Sequence, residues 1–474
     1  MEVSSEKNYV RGFIPYILGA FLIGIVGGFT AVLAPAVVKD FGIAYNNTTW
    51  TALAMAISSA SLAPIMGKLC DAIGRRRTLL LGILVFTLGN FLTAIGSGLI
   101  SMLFARFTVG VGTAAVAPVV MSYIVTEFPK DNIAKGFSIY MLVSSSAVIF
   151  GPTLGGMMIN SFGWRAMMWL CVAICITIFF ICSAITKGDS AERQSLVGVD
   201  GLGAVFVFLF FGLALCIPSF GQNFGWTSRY FLLVLFGAII ALVGLVFVER
   251  SAKNPILLGS FLKRKSFIIS VLALFLTQGL LQANMTNTIV FVNYTQPENT
   301  IISSYAISIM YLGMSLGSVF IGPLADKYEP RSVLTGSLFI TAVGCAVMFF
   351  FSGESSAVLI AGGLGVLGFG LGGNATIFMK VVLSDVPPEI AGSGTGTYGL
   401  FRDLAAPFGV AVLVPLFTNG VASGIDEGMV SGMNEVIASR LAAVEAIRDL
   451  AIIEIACVFA GIVLVRMLPR VHRN

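Results

Sequence analysis

Charge is what this 474-residue chain lacks most: Asp, Glu, Lys and Arg together make up 11% of it, where about 25% is usual in soluble proteins. Histidine is scarcer still, since His472 is the only one. That removes imidazole as metal ligand, catalytic base or buried proton carrier and leaves any proton traffic to carboxylates. The seven cysteines (Cys70, Cys171, Cys175, Cys182, Cys216, Cys345 and Cys457) lie in or at the ends of apolar runs, without metal-ligand spacing. They read as packing residues, and no metal is expected. Paired catalytic acids and a nucleophile–base set are also missing, which argues against an intramembrane enzyme. A non-transporting membrane sensor is a weaker expectation, since no soluble domain to signal through is expected.

What is present is apolar. Hydrophobic residues are 57% of the chain and the mean hydropathy is +0.96, more apolar surface than a soluble protein of this length could bury. Spanning about 30 Å of hydrocarbon takes roughly 20 apolar residues. Runs of that length recur at 13–37, 48–69, 78–97, 99–123, 136–159, 164–186, 200–218, 229–248, 267–293, 301–324, 332–352, 357–383, 395–418 and 449–468. These fourteen runs predict an all-α membrane protein. The first has no small-residue cleavage site after a short apolar core, so it reads as a first helix and not as a signal peptide.

With the N-terminus in the cytoplasm, loops after even-numbered helices should be basic. Arg75, Arg76, Arg77, Lys263, Arg264, Lys265 and Arg470 fall in such places, so both termini are assigned to the cytoplasm of a multi-pass protein of the cell membrane. The longest outer loop is expected over 419–448, where Asp426, Glu427, Glu435 and Glu445 mix with Arg440 and Arg448. The net charge of +5 then follows from topology, and the lipid bilayer, not a nucleic acid, is the surface served.

One string occurs twice: G-K-L-C-D-A-I-G-R-R-R from Gly67 returns as G-P-L-A-D-K-Y-E-P-R from Gly322, each time between long apolar runs. Internal repeats in membrane chains mark carriers that rock one half against the other around a substrate near the midplane. Gly67, Gly74 and Gly322 permit tight turns and close helix approach, while Asp71 and Asp326 suit a neighbouring helix N-terminus. Glu127, at the inner end of the fourth run, is expected to pair with the Arg75 cluster. Together these residues would latch a cytoplasmic gate.

Three more strings belong to the first half: L-F-A-R-F-T-V-G-V-G-T-A-A from Leu103, which puts Arg106 inside the fourth run, G-P-T-L-G-G from Gly151, and G-W-R at Gly163. With the repeat, they resemble the major facilitator superfamily over essentially the whole chain. Fourteen helices with a long outer loop before the last resemble its drug:proton antiporter branch. The resemblance implies a six-helix half over 1–186, two inserted helices and a linker over 187–265, and a second six-helix half over 266–474. In that family the arginine matching Arg106 is linked to proton transfer. Gly151, Pro152, Gly155 and Gly156 let the fifth helix bend and pack closely, and they fit uptake as well as export.

An ionised group at mid-membrane costs at least about 2.5 kcal/mol and is normally kept for ions, protons or substrate. Arg106 is the first candidate, since a guanidinium can hold a carboxylate bidentately; the alternative is a tie to a carbonyl. Asp403, with Arg402 beside it, is either the protonatable carboxylate or half of an interfacial pair. Lys380 reads as a snorkelling lysine, and Glu454 as a residue facing the outer loop. Gln278 and Gln282, one helical turn apart, and Asn284 and Asn374 either line a site for an amphipathic ligand or join helices through their amides.

The usual acid of drug exporters is absent from the first helix, where Val26, Gly27 and Gly28 stand; a cavity with arginine and little acid suits anions. N-N-T-T-W at Asn46, I-P-S-F-G-Q-N at Ile217, T-Q-G-L-L-Q-A-N-M-T-N at Thr277, Y-T-Q-P-E-N at Tyr294 and G-S-G-T-G-T-Y-G-L-F-R-D at Gly392 resemble the proton-dependent bile acid transporters of gut anaerobes. That resemblance implies symport of bile acids or similar amphipathic anions with protons; the proton gradient is expected to drive it without a cofactor, and a monomer is expected. A proton-driven multidrug exporter of the same fold is the rival expectation.

Overall fold

The computed structural model describes residues 2–31, 33–42, 48–186, 200–252, 262–297, 301–383 and 390–468. Among the described residues there are only helices and turns. In chain order the helices of more than one turn are α1 (Glu2–Ala31), α2 (Leu33–Phe41), α3 (Thr48–Ile73), α4 (Arg75–Ile95), α5 (Leu99–Glu127), α6 (Ile133–Phe162), α7 (Trp164–Ile185), α8 (Gly201–Phe224), α9 (Arg229–Ser251), α10 (Lys265–Thr295), α11 (Ile301–Phe320), α12 (Pro330–Met348), α13 (Ala357–Leu383), α14 (Ala391–Val430) and α15 (Glu435–Arg466). Asn46, the linker 187–199, Arg470 and His472 lie outside the described residues, and of Gly151 and Pro152 only the helical backbone is described.

Among the described residues, twelve helical stretches are long and apolar enough to cross a membrane. Two further long helices, α6 and α15, have 30 and 32 residues. Helix starts follow local chemistry. Asp200 accepts a hydrogen bond from Gly203 N at 3.0 Å, Ser228 Oγ from Phe231 N at 3.2 Å, and Asn434 from Val436 N at 3.1 Å, each satisfying an orphan donor of a first turn. Gly74, with φ of 91°, makes the reversal between α3 and α4 that a Cβ would oppose.

The expected outer loop over 419–448 is instead a helical hairpin. α14 runs to Val430 and α15 starts at Glu435, with Gly432 at φ 81° in the turn. A methyl group on Gly420, Gly424 or Gly428 would meet Ala446, Ala442 or Ala438 respectively. Small residues every fourth position let the two backbones approach closely. The charges that end an apolar run therefore do not end the helix.

The helices gather into two compact units. The first contains Met1–Pro129, Ser146–Lys263 and Leu383–Phe401; the second contains Lys130–Ser145, Arg264–Val382 and Arg402–Asn474. In the first, α3 and α4 pack on α5, and α8 packs on α9 and α3. Close approach there depends on glycine: a methyl on Gly89 would strike Val109, and one on Gly112 would strike Phe86. In the second, α10 and α12 pack on α15. Each unit thus includes one short piece of sequence from beyond its own half, 383–401 and 130–145. Those two pieces hold the beginnings of α14 and α6.

Candidate functional site

The repeated string places Asp71 near the end of α3, where the adjoining element is the start of α14. Its Oδ1 accepts from Gly392 N at 2.7 Å and its Oδ2 from Ser393 N at 2.8 Å and Ser393 Oγ at 2.5 Å. A carboxylate at a helix N-terminus satisfies orphan N–H groups and meets the positive end of the helix dipole. Close approach makes this possible, since a methyl on Gly67 would overlap the Gly392 carbonyl and one on Gly396 would press on Ala63 and Pro64. Just past the Gly74 turn, Arg75 donates to Glu127 at 2.7 Å and to Thr126 Oγ1 at 2.5 Å, and its guanidinium lies 5.3 Å from the Tyr123 ring centroid.

The second copy does the same in the other unit. Asp326 accepts from Ala134 N at 3.1 Å and Lys135 N at 3.0 Å, at the start of α6. A methyl on Gly322 would strike Ser138 of the same helix. Lys380, expected to snorkel toward the interface, instead turns inward: its Nζ lies 2.5 Å from Asp326 Oδ1 and 2.7 Å from Ala325 O. The pair is largely buried, with side-chain exposures of 14% and 7%. The buried ammonium of Lys380 on α13 thus has its counter-charge in Asp326, whose carboxylate also accepts the two backbone hydrogens.

Arg106 on α5 is 5% exposed. Among the described residues no hydrogen bond or ion pair reaches its guanidinium; the neighbouring titratable group is Cys171 of α7. Neither a carbonyl tie nor a carboxylate partner is therefore present among them. Arg402 and Asp403, adjacent on α14, do touch, with Arg402 Nε 2.9 Å from Asp403 Oδ1. Both side chains are only partly buried. On α6, Gly155 is buried, while no described atom comes near a methyl placed on Gly156.

The polar set of α10 separates by depth. Gln278 and Gln282 are partly buried, and Gln282 Nε2 lies 3.8 Å from Met285 Sδ. Asn284 is fully enclosed and donates to Leu280 O at 3.0 Å and to Glu454 Oε1 at 2.9 Å. Asn374 donates to Thr341 Oγ1 at 3.2 Å. Glu454 does not face the outer side: it is 0% exposed, deep in α15, because that helix begins fourteen residues before the apolar run that marks it. Asn287, one turn beyond Asn284, is also fully buried, and neither of its amide atoms has a partner among the described residues. Sequence alone sets Asn287 among the polar residues of this helix without giving it a role, and its signal is the amide density around it.

Residues 16–410 match the family model of the Major Facilitator Superfamily. The curated Multidrug resistance protein 3 of Bacillus subtilis (strain 168) is 23% identical over 436 residues, covering 91% of this chain and 83% of that protein. The riboflavin transporter RibZ of Clostridioides difficile (strain 630) is 23% identical over 412 residues, 85% of this chain and 87% of that one. Among solved structures, the human organic anion transporter MFSD10 (TETRAN) superposes with a TM-score of 0.68 at 13% identity, over 96% of this chain and 99% of that chain. At that identity the likeness is one of fold.

Proposed function

The chain belongs to the Major Facilitator Superfamily, and from that premise we propose that it is a proton-coupled carrier taking up bile acids or similar amphipathic organic anions by alternating access. As a member it is a multi-span membrane transporter of small molecules, not an enzyme, and transport of this kind needs no cofactor. The observation that carries the anion assignment is Arg106: a guanidinium buried in a transmembrane helix without a counter-charge among the described residues. Such a group costs at least about 2.5 kcal/mol to keep there, and a carboxylate substrate is the partner that offsets the cost bidentately. Val26, Gly27 and Gly28 in α1 leave the first helix without the acid that would favour cations.

In this proposal α6 and α15 also cross, giving fourteen helices with α8 and α9 inserted between halves 1–186 and 266–474, and both termini lie in the cytoplasm. Arg402 and Asp403 take part in proton coupling, while Gln278, Gln282, Asn284 and Asn374 line the substrate's path. Gly67, Asp71, Gly74, Arg75, Glu127, Gly322 and Asp326 form the gate, and Gly151, Pro152, Gly155 and Gly156 let α6 bend. The carrier works as a monomer. Proton-driven multidrug export is the second reading, favoured by relatives named for multidrug resistance.

Uptake of radiolabelled cholate into cells expressing the protein, at acidic and alkaline outer pH with and without a protonophore, separates the two. Uptake stimulated by acid and abolished by the protonophore is expected. No uptake, with lowered accumulation of cationic dyes, would overturn symport in favour of export.

A further inference from the structure

Glu454 is the most enclosed acid among the described residues, and neither the gate nor the anion site employs it. It lies in the apolar stretch of α15, 0% exposed, between α10 and α12. Its Oε1 accepts a hydrogen bond from Asn284 Nδ2 at 2.9 Å, and its Oε2 is enclosed with no nitrogen or oxygen donor among the described residues, the Cys345 thiol being the weak donor within reach of the carboxylate. The titratable groups that face it are thiols, weak donors at best: Cys345 from α12 and Cys457 one turn along α15. α10 presents Asn284, an amide. α14 meets α15 through Ala438, Ala442 and Ala446, two or more turns earlier, and turns no charged group toward Glu454. No lysine or arginine is paired with it among the described residues.

The bonding count around this carboxylate is one strong donor short. Asn284 has already committed both amide hydrogens, to Leu280 O and to Glu454 Oε1, and its own Oδ1 is enclosed without a donor. Two acceptors, Glu454 Oε2 and Asn284 Oδ1, therefore lack a hydrogen in side chains that are already joined. Enclosed acceptors without donors are costly, and an ionised carboxylate in the same place is costlier. A proton on Oε2 removes the charge and turns one of the two acceptors into a donor. A sodium ion fits less well: hard cations gather several oxygens, and Asn284 turns its amide nitrogen, a donor, toward the carboxylate.

We propose that Glu454 is a proton-binding site of the second unit, gaining one proton to become a neutral acid and releasing it again in each transport cycle. This rests on the proton-coupled reading above for its place in transport, though not for the protonation itself. The test compares purified wild-type protein and Glu454→Gln in proteoliposomes. Glutamine keeps the volume and supplies an amide donor, but it cannot exchange a proton. Cholate accumulation driven by an imposed pH gradient should be lost in Glu454→Gln, while cholate counterflow at equal pH is retained, which also shows that the variant folds. Infrared difference spectra between acid and alkaline buffers should contain a carboxylic-acid carbonyl band that is missing from the variant.

Gradient-driven accumulation equal to wild type, or an unchanged carbonyl band, would overturn the proposal. Accumulation by the wild type that follows a sodium gradient at equal pH and is lost in Glu454→Gln would overturn the proton in favour of sodium. Failure of the wild type to respond to a pH gradient would instead sink symport, and the infrared band would still decide whether Glu454 binds a proton.

Discussion

Asp71→Ala removes one carboxylate and with it three hydrogen bonds, from Gly392 N at 2.7 Å, Ser393 N at 2.8 Å and Ser393 Oγ at 2.5 Å. Bonds to a charged group contribute about 1.5–3 kcal/mol each, and a negative charge at a helix N-terminus adds about 0.3–1 kcal/mol. The three bonds share one side chain and are partly replaced by water once broken, so they do not add. A net loss of roughly 3 kcal/mol, about 150-fold in the ratio of capped to uncapped states, is the reasonable figure. Cys70, the neighbour of Asp71 in α3 and 3% exposed, is the thiol chosen to read that equilibrium. When opening is fast, its alkylation rate follows the open population, so peptide mass spectrometry should find Cys70 labelled about 100-fold faster by N-ethylmaleimide in Asp71→Ala. Asp71→Asn, which keeps one acceptor oxygen but no charge, should fall between. Labelling of Cys70 in Asp71→Ala at the wild-type rate would refute the view that this cap holds the start of α14 in place.

Arg106→Ala should abolish cholate uptake with the amount of protein in the membrane unchanged, and Arg106→Lys should recover little of it, because a lysine cannot grip a carboxylate bidentately; full activity in the alanine variant would remove Arg106 from the site. Asp326→Ala should lower thermal stability in detergent far more than Lys380→Met. The first substitution strands a buried lysine, about 3–5 kcal/mol, and uncaps α6, whereas the second leaves Asp326 still accepting from Ala134 N and Lys135 N. In the double variant most of the loss from the stranded charge should return, leaving the cost of the cap, about 1 kcal/mol. Equal losses for the two single variants would contradict the described pairing.

The repeat is legible from sequence because Asp71 and Asp326 sit in strings of glycine and basic residues that hydropathy alone does not require. Their partners are not legible: Asp71 reaches a backbone 321 positions away and Asp326 one 192 positions away, and no local pattern announces a contact of that span. Lys380 reads as snorkelling for the same reason, since its acceptor is 54 positions distant. Glu454 is misplaced through a different error. Hydropathy marks where a helix becomes apolar, not where it begins, and α15 starts at Glu435, so a residue expected near the rim lies in the interior. The small-residue rows of the 420–446 hairpin are visible as a four-residue period of Gly and Ala, but the charges between them conceal it.

The acids and bases buried in this protein differ in one respect that bears on what they do. Asp71 meets three donors, and Asp326 meets two backbone hydrogens and a lysine; both are satisfied as anions, which suits fixtures that hold helix starts. Arg106 in the first unit has no acceptor among the described residues, and Glu454 in the second is one donor short. Unsatisfied charge in a membrane interior persists only where something else completes it. In the proposed carrier an organic anion would complete the first and a proton the second, and together they would bring no net charge into the bilayer. A carrier that keeps two such sites unfilled for part of its cycle bears their cost in stability, and the helix-start caps made by Asp71 and Asp326, one in each unit, are where the fold can recover it.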